Sequence, residues 1–137
     1  MAQIVHPLCG DSIYTISDIC YHYYVNEHGI TSSAQGKPKS LDSLWITMRL
    51  LEERKKFHLA YAQDSYSYFL SMVNLTYHRT RNLSPEVAKS IFVVQRMLLE
   101  RYYSGFQYTG SGKKRQIEAA LRTNNYQKYV AACEWVK

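Results

Sequence analysis

Apolar positions recur every three or four residues over most of the chain beyond residue 40, the period of a helix with one face turned inward. The clearest run follows Asn82. Ser84 is placed as an N-cap, Pro85 takes the first helical position and Glu86 sits in the first turn, where the helix dipole favours an anion. Val87, Ile91, Val94, Leu98 and Tyr102 then return at helical spacing, Phe92 and Leu99 widen the face, and Tyr103-Ser104-Gly105 ends it. This segment is the expected core helix of the fold.

Two more helices are expected before it. Ser40 or Asp42 is the predicted cap of a long helix whose inner line is Leu44, Met48, Leu51, Lys55 and Leu59, flanked by Trp45 and Phe57. A second, Tyr66 to Tyr77, sets Tyr66, Phe69, Leu70, Val73 and Tyr77 on one stripe behind Asp64 as cap. Nearer the N-terminus, Ser17 and Asp18 precede Ile19, Tyr23 and Tyr24 in a stretch read as helix, with a strand over Tyr21 to Val25 as the competing reading. Past Gly110 and Gly112, Lys113 to Leu121 forms a short helix and Arg122 to Asn124 a turn. A last helix starts at Asn125, with Tyr126, Val130 and Cys133 inward. Five or six helices and no sheet predict an all-α protein. Its 137 residues suit a single compact domain ending in a helix-turn-helix-like pair.

Charge divides this domain into three parts. Residues 1–38 form an acidic segment of net −2, residues 39–80 a helical middle of net +2, and residues 81–137 a basic helical region of net +6, which equals the charge of the whole chain. Apolar residues make up 46%, which excludes a disordered tail, and Tyr is in excess with 13 copies. Cys9, Cys20 and Cys133 are an odd number without a CxxC pair, which points to a reducing, cytoplasmic setting. No apolar run is long enough for a membrane span, and the first residues lack a signal-peptide pattern, so no membrane partner is expected.

Motifs of catalysis are missing. The five histidines include no HExxH pair, and Cys20, His22 and His28 lack the fourth ligand of a structural zinc site. Gly110 to Arg115 has glycines before lysines but neither the preceding strand nor the spacing of a phosphate loop. The expectation is a protein that is not an enzyme and carries no cofactor or metal.

The stretch 101–128 instead concentrates charge, with six basic side chains against Glu118 alone. Basic groups neutralise phosphates, while Asn and Gln pair with base edges. On a helix-turn-helix, Lys113, Lys114, Arg115 and Arg122 are the expected phosphate contacts. Asn124, Asn125, Gln127 and Lys128 fall nearest the bases, and Asn124 suits the left-handed turn position. DNA is the partner this pattern predicts.

The order LLERYYSG, then KKRQIEAAL, a short turn and AACEWV resembles the C-terminal part of phage late-gene antitermination proteins of the Q type. The positions that carry the resemblance are Leu99, Tyr102, Tyr103, Gly105, Ile117, Leu121, Ala132 and Trp135. It implies a DNA-binding transcription regulator that also contacts RNA polymerase. A second reading is an interaction module, a small inhibitor or adaptor using its tyrosines and basic face on a larger protein complex. A third, stacking of single-stranded nucleic acid, requires Tyr103, Tyr108 and Tyr126 at the surface.

Overall fold

The pattern is realised as helices throughout a computed structural model that describes residues 36–57 and 63–135. The helix expected after Asp18, its competing strand, the Cys20, His22 and His28 set and most of the acidic segment lie outside the described residues. Those described begin with a short 3-10 turn, Pro38–Leu41. Five helices follow: α1 (Asp42–Lys56), α2 (Gln63–Thr80), α3 (Pro85–Tyr103), α4 (Lys113–Arg122) and α5 (Tyr126–Glu134). No strand occurs among them, and the fold is all-α.

α3 forms as its sequence dictates. The Ser84 hydroxyl accepts from the Val87 backbone N–H at 3.4 Å, Pro85 opens the helix, and Ile91, Phe92, Leu98, Leu99 and Tyr102 are buried along it. A cap of this kind contributes about 1 kcal/mol. Val87, at the exposed start, lies outside the core.

α1 departs from expectation in its cap and in its face. Neither Ser40 nor Asp42 caps it through a side chain; Leu41 holds that position. The inner line runs Leu44, Thr47, Leu51 and Arg54, while Lys55 is exposed and Trp45 is 62% exposed. The reason lies in the contact with α2. Ser43 Oγ donates to Ser40 O at 3.2 Å, Thr47 Oγ1 donates to Ser43 O at 2.8 Å, and Thr76 Oγ1 of α2 donates to Ser43 Oγ at 3.1 Å. Hydroxyls satisfied in this way can be buried without penalty, so small polar residues take a seam that hydropathy assigns to larger apolar ones.

α2 runs a turn beyond the predicted stripe at its C-terminal end, and Asp64 lies within its first turn rather than capping it. All five stripe residues are buried. Tyr66 and Phe69 both pack on the ring of Tyr103, at centroid distances of 4.9 Å and 5.3 Å. Tyr103 is therefore a core residue, about 1% exposed, and is unavailable for stacking on a nucleic acid. α4 and α5 complete the core with Ile117, Ala120 and Leu121 against Tyr129, Ala132 and Cys133. The inward face of α5 is turned by one position from the expected line, since Tyr129 is buried and Tyr126 only half-buried. Phe92 of α3 explains it by meeting both rings, at 5.0 Å from Tyr129 and 5.5 Å from Tyr126.

Candidate functional site on the C-terminal helical pair

The turn between α4 and α5 is built from three residues with separate tasks. Thr123 ends α4, Asn124 takes a left-handed conformation at φ 52°, and Asn125 begins α5. The Asn125 N–H reaches back to Ala120 O at 2.9 Å and the Asn124 N–H to Leu121 O at 3.1 Å, the paired bonds of a Schellman ending. The Asn125 side chain then accepts from the Lys128 N–H at 2.9 Å, so the residue that closes one helix also caps the next. The expected left-handed role of Asn124 is realised.

At the far end, Gly112 precedes α4 with φ 78°, a conformation that costs glycine little, and a β-carbon there would stand 3.6 Å from the Trp135 ring. The start of α4 and the end of α5 are thus neighbours. Lys113 Nζ donates to Cys133 O at 3.1 Å, placing a cation at the C-terminal end of α5, where the helix dipole favours it. Lys113 therefore sits at the opposite end of α5 from its N-terminus.

The inner face of the pair is closed by a buried carboxylate. Glu118 accepts from Tyr66 Oη at 2.5 Å and from Arg122 Nε at 3.1 Å, and both its oxygens accept from the Tyr108 N–H, at 3.2 and 3.0 Å. Arg122 also donates to Tyr66 Oη at 3.2 Å, to Tyr103 O at 3.3 Å and to Phe106 O. One guanidinium and one carboxylate so hold the connection between α3 and α4 against α2. Burial first, and the Glu118 hydrogen bond second, raise the Tyr66 hydroxyl well above its ordinary pKa. In α5, burial pushes the Cys133 thiol up to about 12.

These bonds separate the eight residues expected to meet nucleic acid. Arg122 is committed to Glu118 and three further oxygens. Lys114 Nζ donates to Ser67 Oγ of α2 at 2.8 Å and lies over the Tyr108 ring, while Asn125 accepts within its own helix. Arg115, Asn124, Gln127 and Lys128 are exposed. The five basic side chains do not share one face beside the start of α5. Glu118, Tyr66 and Trp135 were not among the candidates, although Glu118 and Arg122 stand four apart on a helix, the spacing of an ion pair.

The outer face carries a trough of about 470 Å³ between the two helices. Gln116, Ala119, Ala120 and Thr123 line it from α4 and its C-cap, and Lys128, Ala131, Ala132 and Trp135 from α5 and its C-cap. Each set follows the i, i+3, i+4, i+7 spacing of one helix stripe. Four alanines make its floor, the Trp135 ring closes one end, and Lys128 is the single charge in its lining. Both nearby carboxylates are engaged elsewhere, Glu118 as above and Glu134 with the Tyr77 hydroxyl at 2.6 Å.

Among the described residues no group of three or more His, Cys, Asp or Glu is placed to hold a metal ion, and no helix is long and apolar enough to cross a membrane. Comparison with protein-family models, curated proteins and solved structures finds no match to this chain.

Proposed function

We propose that this protein is an interaction module that binds a larger protein partner through the outer face of the α4–α5 pair. The observation that carries this reading is the alanine-floored trough, which has Trp135 at one end and no carboxylate in its lining. Aromatic anchors beside small residues supply the desolvated contacts that dominate protein interfaces. Tagged protein, wild type or Ala131→Arg, should be used to capture partners from a lysate with and without nuclease. Partners that survive nuclease and vanish with Ala131→Arg support the reading. Partners released by nuclease, or unaffected by the substitution, defeat it.

DNA binding is the second reading, and it rests on Arg115, Asn124, Gln127 and Lys128, exposed members of the predicted set; Arg122, exposed as well, is held by Glu118 and three further oxygens. In that form it keeps the implied kinship with antitermination regulators and a contact to RNA polymerase, but with few phosphate contacts. A mobility-shift series should then show a shallow salt dependence, since each neutralised phosphate adds about −0.9 to the log-log slope. Absence of any shift at low salt removes the reading.

A further inference from the structure

The trough is chemically asymmetric, and the asymmetry bears on what occupies it. We infer that its occupant is an acidic amphipathic helix of the partner, laid along the trough with its apolar side chains on the alanine floor. This deepens the protein-binding reading and rests on it.

The shape comes first. Two helix stripes, Gln116 to Thr123 and Lys128 to Trp135, border a channel about two turns long. With alanines beneath, a third helix can approach as closely as packed helices do, and its apolar residues at i, i+3, i+4 and i+7 fill the space between the stripes. A flat duplex backbone would leave the alanines and the Trp135 ring without apolar partners.

The charge selects the sign of the partner. Lys128 stands in the lining and Arg115, exposed, directly precedes Gln116 at the Trp135 end. The hairpin's two carboxylates are both held by other groups, Glu118 by Tyr66, Arg122 and the Tyr108 N–H, and Glu134 by Tyr77. Lys128 is thus the one charge in the lining, and no acid stands there. A second copy of this chain would bring the same lysine and be repelled, whereas a glutamate flanking an apolar stripe would meet Lys128.

Trp135 reports on occupancy once Trp45, the other tryptophan, is replaced by Phe. The probes are three helical peptides of about 16 residues: a leucine stripe flanked by glutamates, the same stripe flanked by lysines, and the acidic composition with the stripe scrambled. The acidic striped peptide should shift Trp135 emission to the blue and bind about tenfold more tightly than either other. Ala119→Arg or Ala131→Arg should abolish the shift. Lys128→Glu should weaken the acidic peptide and admit the basic one, a reversal that loss of folding cannot mimic. Equal binding of the acidic and basic peptides, or a stronger Trp135 response to duplex DNA than to any peptide, overturns the inference. If no peptide binds while Ala131→Arg still loses nuclease-resistant partners, the acidic helix is wrong and the protein-binding reading stands.

Discussion

The two faces of the α4–α5 pair are made from the same 23 residues, Lys113 to Trp135, yet they differ in what their polar groups meet. On the inner face every strong group has a protein partner: Glu118 has three donors, Arg122 four acceptors, and the Tyr129 hydroxyl donates to Gln95 Oε1 at 2.7 Å. On the outer face alanines and one tryptophan stand between side chains that point to water. The difference teaches that a basic segment is not a basic surface. Charge counted along the chain includes cations that stitch the fold together, and only those left over are available to a partner.

Several perturbations separate the faces. Alkali should act most strongly, because it strikes the inner groups together. Burial raises the Tyr66, Tyr77, Tyr103 and Tyr129 hydroxyls and the Cys133 thiol above their ordinary values of 10.0 and 9.0. The unfolded chain then releases these protons before the folded one does, so stability is fully present below pH 9 and falls steadily as pH rises beyond it. Part of the tyrosinate absorbance should appear only together with the loss of helical circular dichroism, above pH 9. Tyrosines that all ionise near pH 10.0 with the helices intact would break the picture of the inner face.

Glu118→Ala follows, removing the acceptor of Arg122 Nε, the Tyr66 hydroxyl and the Tyr108 N–H. It should cost about 1 to 3 kcal/mol, the usual loss when buried hydrogen-bonding groups are left without a partner. A urea midpoint unchanged from wild type would show that the carboxylate is not what holds α4 to α2. Asn124→Val forces a β-branched residue into left-handed geometry and should cost about 1 to 2 kcal/mol, whereas Asn124→Gly should be tolerated. Asn125→Ala removes the α5 cap at about 1 kcal/mol. That loss identifies Asn125 as a structural residue; unchanged stability with altered DNA preference would return it to base reading. The smallest effects belong to the outer face. Arg115→Ala and Lys128→Glu should each change stability by less than about 0.5 kcal/mol, so whatever they do to binding is read without a folding correction.

Local signals were legible in the sequence and orientation was not. The start of α3 was readable because Ser84, Pro85 and Glu86 act within a single turn, and the left-handed Asn124 because few residue types fit that position. The cap of α1 was misread because Ser40 lies in the preceding 3-10 turn, where its carbonyl accepts from Ser43, and Ser43 in turn meets Thr76, 33 residues away. Tyr103, which the stacking reading requires at the surface, closes over Tyr66 and Phe69. Lys113 and Lys114 looked like members of one patch, but consecutive residues on a helix point about 100° apart, and one meets α5 while the other meets α2. The Glu118–Arg122 pair was present as a spacing of four. The burial of Glu118 could not be read, because that depends on Tyr66, 52 residues earlier.

Gln95 illustrates how such contacts constrain the way this sequence can drift. Its amide is buried in α3, donating to Val73 O of α2 at 3.4 Å and accepting from Tyr129 of α5, so one side chain reports to three helices. Neither residue can change alone at low cost: Tyr129→Phe strands an amide oxygen, and Gln95→Leu leaves the Tyr129 hydroxyl only the weak Cys133 thiol. Replacing both with apolar groups of similar size removes the need for either. Homologues should therefore carry the polar pair or an apolar pair at these two positions and avoid the mixtures, and the double variant should recover stability that each single variant loses.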